Sequence, residues 1–411
     1  MYFNRFLYPA LASALVAVLL SACGGGGSTP TATGSGNPGG LSNVLGVTVD
    51  AGPAGPVASV NVLYTTVKIC KPGDTQCQTI DHVMVDTGSS GLRVLASVLA
   101  PGLNLSRLTG SSGLPLLNCA QYVDNSINWG SVASADVVLA GKTAANVPIQ
   151  IIGDPLYNQL ASATQCAGSS VTTAQDLGAN GILGIGLFPQ DCGSDCSVTR
   201  KNGFYYTCTY TNCTAVVGTT ASLDRQLKNP VALFSSDNNG VLIDLPAVGT
   251  AGATSLTGSL IFGIGTQTNN QMGSGVVLTT DSLGDITTVL AGKSLPTSFI
   301  DSGSNGLFFD SSTIPNCPSN TATGFYCPSA LSAMSATLVG ANAVQATVSF
   351  SIDNANLMFA DSAKTVLPAL SGPSGDNSSF DWGLPFFFGR RVFIGIEGKP
   401  SSIGTGPFYA F

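Results

Sequence analysis

From residue 43 onward, apolar and polar positions alternate in short runs broken by Gly, Asn, Pro or Asp. The runs "VASVNVLYTTVKIC", "SADVVLAG", "VPIQIIG", "SLIFGIG" and "ATVSFSI" each read as a strand with one face buried. Cys70 and Cys77 flank the turn-rich "KPGDTQ", so they are expected to staple a hairpin whose return strand runs into "HVMVD". Helical periodicity is scarce, and "TASLDRQLKN" at 220–229 predicts one short helix. The pattern predicts an all-β chain with few short helices. No solenoid repeat is visible.

One object does recur. "VMVDTGSSGLRVL" at 83–95 and "SFIDSGSNGLFFD" at 298–310 each place a carboxylate, a glycine and hydroxyls after an apolar run. The apolar residues predict a buried strand that delivers Asp86 or Asp301 to a region of low dielectric. Gly88 and Gly303, two positions on, let the backbone turn sharply and approach another chain closely. Thr87 and Ser302 are placed to bond backbone groups across an interface, and Ser89 and Ser304 to donate to the outer carboxylate oxygens. Two such loops face to face cannot both carry an ionised carboxylate, so the pair is expected to share one proton. The ionised member then deprotonates a water while the protonated one polarises a carbonyl, with no metal, cofactor or histidine required.

The N-terminus adds an address. "MYFNRFLYPALASALVAVLLSAC" has one basic residue, an apolar run of signal-peptide length and small residues before a cysteine. Leu20-Ser21-Ala22-Cys23 resembles a bacterial lipobox, which implies residues 1–23 as a lipoprotein signal, lipidation of Cys23 and a membrane anchor. Residues 24–42 read as a flexible Gly/Ser/Thr/Pro linker. The G-x-G-x-x-G match at Gly34, Gly36 and Gly39 has no strand before it and is not read as a nucleotide loop.

Composition supports export. Of 411 residues only 9% are charged, against about a quarter in ordinary domains, while 44% are hydrophobic. With 15 basic and 22 acidic residues, nucleic acid is not expected as a partner. Eleven cysteines less Cys23 leave an even number, as disulfides in an oxidising compartment require. The spacing suggests Cys70 with Cys77, Cys317 with Cys327 and Cys119 with Cys166. Pairing among Cys192, Cys196, Cys208 and Cys213 stays open. A metal site is disfavoured because the chain has one histidine, His82, and no C-x-x-C.

"VDTGSSGLRV" and "IDSGSNGLFF" resemble the two catalytic loops of pepsin-like aspartic proteases. That resemblance implies a bilobal double barrel with lobes at 43–250 and 251–411, and it covers roughly residues 45–411. It maps the catalytic pair onto Asp86 and Asp301, the supporting hydroxyls onto Ser89 and Ser304, and the interlobe grip onto Thr87 and Ser302. "NGILGIG" at 180–186 is similar to the segment crossing behind the first loop, and "SLIFGIG" at 259–265 to the strand leading out of the first lobe. "LPFFFGRRVFIGIEGK" at 384–399 is similar to the second crossing segment, through Phe387, Phe388 and Gly389, with a helix to follow. Tyr122 and Trp129 are the flap candidates, with a tip at Gly130-Ser131. The four-cysteine stretch 191–213 and Asn305 depart from the familiar pattern. The chain also resembles an uncharacterised family of predicted bacterial lipoproteins with the same motif pair.

The implied protein is a monomeric endopeptidase of the bacterial cell envelope, exported and lipid-anchored, acting on peptides or proteins at pH about 3–5. The rival is a catalytically silent envelope lipoprotein that holds a peptide or partner in the interlobe cleft. A serine hydrolase is disfavoured: there is no G-x-S-x-G, and His82, four residues before Asp86 on the same strand, reads as surface or structural. Leu92, Leu307 and Phe308 read as core.

Overall fold

The computed structural model describes residues 43–411, apart from 56, 123–124, 164–165, 201–203 and 319–321. The signal-like segment, Cys23 and the linker lie outside the described residues.

Two sheets dominate, one of 16 strands and one of seven. The first half begins with the expected hairpin. Leu63–Cys70 pairs antiparallel with Cys77–Asp86, Cys70 opposite Cys77, and a disulfide joins these two residues. The register slips between Thr65 and Val67, close to His82, whose φ is +46°. A bulge of this kind re-aims side chains, so counting pleats from Asp86 does not place His82. Its ring lies between the carboxylates of Asp50 (3.4 Å) and Asp81 (3.3 Å), against the edge of Tyr64.

The two halves are joined through the middle of the large sheet. Val44–Val49 pairs with Leu256–Phe262, which pairs with Gly240–Asp244, which pairs in turn with Arg391–Gly395. The strands flanking residue 250 are therefore neighbours in one sheet. The seven-stranded sheet belongs to the second half and runs from Ile286 to Trp382. Its core is aromatic: Phe380 stacks on Trp382 at 3.9 Å and on Phe309 at 4.7 Å. Offset stacks of this kind add to the area term that holds neighbouring strands in register.

Each Asp-bearing strand ends beside a short crossing strand. Gly181–Ile185 runs parallel to Cys77–Asp86 and antiparallel to Ser90–Leu95, with Asp86 level with Gly184. In the second half the equivalent strand is Phe380–Trp382, parallel to Lys293–Ile300 and antiparallel to Leu307–Phe309. The crossing segment is thus Asp381-Trp382-Gly383. This corrects the expectation of Phe387, Phe388 and Gly389, which follow a 3-10 turn at Leu384–Phe386. Asp381 is polar, so this segment does not show in the sequence as two apolar residues before a glycine. Gly389 is followed by a strand, Arg391–Gly395, where a helix was expected.

The helix expected at 220–229 is absent. That stretch is a turn leading to an isolated bridge between Gln190 and Lys228. The Gln226 amide bonds Gly193 N, Gly193 O and Ala221 O, each at 2.8 Å, which ties the segment down as a loop. Among the described residues the α-helices are short: Ala174–Leu177, Ser194–Val198 and Ala355–Phe359. The first and last are capped by the side chains of Thr173 and Asn354.

All ten remaining cysteines pair. Three bridges match the spacing argument: Cys70–Cys77, Cys119–Cys166 and Cys317–Cys327. The open four resolve into Cys192–Cys196 and Cys208–Cys213. The strand Tyr205–Cys208 of this insertion pairs with Leu116–Gln121, so the insertion extends the large sheet.

Candidate active site

The strands Cys77–Asp86 and Lys293–Ile300 lead the two sequence motifs to the same place. Asp86 is 2% exposed and Asp301 0%, which decides that both carboxyls lie inside the protein. The Gly88 N–H donates to Asp86 Oδ1 at 2.8 Å and also to Asp301 Oδ1 at 2.9 Å. One amide nitrogen thus holds an oxygen from each half. The Gly303 N–H donates to Asp301 Oδ1 at 2.8 Å. On the outer oxygens, the Ser89 hydroxyl donates to Asp86 Oδ2, and that of Ser304 to Asp301 Oδ2 at 3.0 Å.

Thr87 and Ser302 lock the loops reciprocally. The Thr87 hydroxyl donates to Ile300 O (3.3 Å) and accepts from Ser302 N (2.9 Å). The Ser302 hydroxyl donates to Val85 O (2.8 Å) and accepts from Thr87 N (3.2 Å). Every donor and acceptor in this buried seam has a partner, which buried polar groups require. Gly88 and Gly303 are needed for space rather than for a special φ. A Cβ on Gly88 would stand 2.7 Å from Asp301 Cγ, and one on Gly303 would stand 2.7 Å from Asp86 Oδ1.

Burial pushes the Asp86 carboxyl above its ordinary range, while the Ser89 hydroxyl, Asp301, the Gly88 N–H and Arg93 pull it back. Asp301 is driven well above that range by burial, then by the charges of Asp86 and Asp381. Such a pair holds one proton over a broad pH interval.

The flap candidates do not assemble as expected. Leu116–Gln121 and Ser126–Leu139 pair antiparallel from Leu117 opposite Ser131 to Gln121 opposite Ile127, so Gly130-Ser131 lie within the paired strand and not at its tip. Gly130 is in mid-strand between Asn118 and Ile152, and a Cβ there would meet Ile151 O. Trp129 is wholly buried against Tyr206, its indole N–H donating to Tyr157 O at 2.8 Å. Tyr122 packs with Met84 and Ile182, and its hydroxyl accepts from Asn128 Nδ2 at 2.7 Å. These corrections share one cause. The insertion strand and the Cys119–Cys166 bridge turn the hairpin into part of a broad sheet, so its aromatic residues serve the core. Leu92, Leu307 and Phe308 are core as expected.

Some residues near the site were not singled out from the sequence. Asn61 (φ +52°) donates from Nδ2 to Asn305 O and Leu367 O, both at 2.8 Å, and ties the first half to the second loop. Arg93 and Asp191 form a buried ion pair at 3.6 Å beside the first loop. The arginine was visible as a charge inside "SGLRVL", an otherwise uncharged strand. Nothing near Asn61 or Asp191 marked their partners.

The arrangement is that of the pepsin-like fold, and a solved structure bears this out. The aspartic proteinase from Irpex lacteus superposes with a TM-score of 0.50, covering 89% of this chain and 96% of that one at 14% identity. An identity that low speaks for the fold alone. By sequence, the chain belongs to the family described as a protein of unknown function (DUF3443), which matches residues 39–411. No curated protein matches it.

Proposed function

We infer that this protein is an aspartic endopeptidase that hydrolyses peptide bonds with a water activated by Asp86 and Asp301. The observation that carries this reading is the Gly88 N–H bonded to one oxygen of each carboxyl, which brings the two acids together inside a rigid, fully bonded frame. In the reaction the water oxygen bonds to the carbonyl carbon. One water proton passes to the ionised aspartate, and the proton of the other aspartate passes to the carbonyl oxygen. A neutral gem-diol results, and the pair is left with one proton, ready to assist C–N cleavage.

The test is cleavage of an unfolded protein by the purified chain across pH, with and without a statine-type transition-state mimic. Because burial raises both aspartates, hydrolysis is expected to reach toward higher pH than two carboxyls of ordinary pKa would allow and to be abolished by the mimic. A chain that binds peptides but cleaves none at any pH would be the silent binder instead.

The same reading places the enzyme in the bacterial envelope, anchored through Cys23. Its support is the lipobox-like "LSAC" and five disulfides, which are typical of oxidising compartments. Cys23→Ala is expected to move the protein from the membrane fraction to the soluble fraction of cells. Retention in the membrane would refute the anchor.

A further inference from the structure

The second half holds a cavity of about 220 Å³ that neither Asp86 nor Asp301 lines. Its walls include Leu307, Val348, Trp382, Phe386, Phe388 and Arg390. Leu307 and Trp382 lie opposite each other in the strands that frame the second loop. The ring of Phe386 meets that of Trp382 edge-on at 5.6 Å, and Phe350 does the same at 5.4 Å. Protein interiors leave few voids larger than a single water, whose share of the liquid is about 30 Å³. This cavity is several times that size. Thr250 and Ser349, also in the wall, are exposed, so it opens to solvent.

The one charged group in this wall is Arg390, which is half-buried. Arg93, Arg107, Arg225 and Arg391 each face a carboxylate: Asp191, Asp154, Asp224 and Asp244. Arg390 faces none among the described residues. Its Nη1 donates to Phe386 O at 2.6 Å, and its guanidinium carbon stands 4.7 Å from the centre of the Phe386 ring. A guanidinium has five N–H donors in a planar fork suited to a carboxylate, and the Phe386 carbonyl takes one. The ring and the carbonyl therefore hold the cation in place at the cavity without neutralising it.

We propose that this cavity binds a monocarboxylate with a compact apolar body, its carboxylate on Arg390 and its body against Leu307, Trp382 and Phe388. The match is one of size and charge. An apolar cavity of about 150 Å³ takes up benzene, so this one holds a body of roughly one ring and the carboxylate beside it. Apolar walls with a few convergent polar groups are the common form of a small-molecule site. A neutral ligand would leave the guanidinium without an anion, and a dianion would leave its second charge among apolar side chains. The same group occurs as a free acid and as the C-terminal residue of a peptide. The site is separate from the aspartate pair and does not rest on the endopeptidase reading.

The experiment is calorimetric titration of the purified chain, at neutral pH, with 3-phenylpropanoate and with its neutral amide. The acid is expected to bind at least about tenfold more tightly, the margin a charge-assisted hydrogen bond provides. Arg390→Gln should remove that margin by weakening the acid to the level of the amide. The chain has two tryptophans, of which Trp382 lines the cavity. Its indole N–H signal in NMR, assigned from Trp129→Phe, should shift with the acid while that of Trp129 stays put. A dipeptide ending in phenylalanine separates the two sources: tighter binding than 3-phenylpropanoate assigns the site to a peptide C-terminus, weaker binding to a free acid. No binding of the acid at about 10 mM, equal affinity for acid and amide, or unchanged affinity in Arg390→Gln would overturn the proposal. So would a shift at Trp129 alone, or displacement of the acid by a statine-type mimic, which would put it at the aspartate pair. If Arg390→Gln does not fold, the comparison of acid with amide and the Trp382 signal still decide.

Discussion

Asp301→Asn and Asp86→Asn are each expected to reduce peptide hydrolysis by about 10²–10⁴-fold or more, the span associated with a positioned acid or base. Each amide keeps the shape of the carboxyl and the bonds from Gly88 and Gly303, so the fold should survive. Thermal melting against pH separates lost chemistry from lost structure. The folded-state pKa of Asp301 lies well above the ordinary value near 4 of an unfolded aspartate. Folded protein then binds the proton more tightly than unfolded protein. The stabilisation is fully present below the unfolded pKa and is lost as pH rises through the folded one. An asparagine has no such dependence. Asp301→Asn should therefore melt above the parent at pH 7, with the gap closing toward pH 4. A variant that melts lower at pH 7 would contradict the burial argument, and one that retains full cleavage would remove Asp301 from the chemistry.

Gly88→Ala should be nearly as damaging to activity by another route. The added methyl would lie 2.7 Å from Asp301 Cγ and 2.8 and 2.9 Å from its two oxygens. That carboxyl cannot retreat easily, because the Gly303 N–H and the Ser304 hydroxyl hold it. The loops must part, and the shared Gly88 N–H then loses an acceptor. Overpacking of this kind costs about 1–3 kcal/mol, and denaturant unfolding should show it together with loss of hydrolysis. Gly46→Ala is the comparison: it sits in the strand Val44–Val49 with nothing within 4 Å of its Cβ position, so stability and activity should stay put. Equal effects at the two glycines would mean that contact with the opposite carboxylate is not what makes Gly88 necessary.

The legibility of the site was uneven for physical reasons. The roles of Thr87, Ser89, Ser302 and Ser304 were readable because each acts within its own loop or on its counterpart, and both loops announce themselves in sequence. The tip expected at Gly130-Ser131 is not legible in sequence, because the place of Tyr122 and Trp129 depends on what lies beside their hairpin. The neighbour is the strand Tyr205–Cys208, roughly eighty residues downstream. The second crossing strand was misplaced for a related reason: Asp381 is polar in sequence but sits in a buried strand beside Asp301, and no local pattern distinguishes such a place from a surface one.

By itself, the sequence determined what local chemistry determines: the short strands, the stapled turns, three of the five disulfides and the two equivalent carboxylate loops. These follow from alternation, turn residues and proximity along the chain. Tertiary structure alone decided the incorporation of the hairpin into a sheet, the identity of Asp381-Trp382-Gly383 as the second crossing segment, and the pairing of Arg93 with Asp191. Each of those depends on which distant segments become neighbours. Burial then sets the electrostatics, because a charge shielded from water acts on whatever the fold has put beside it.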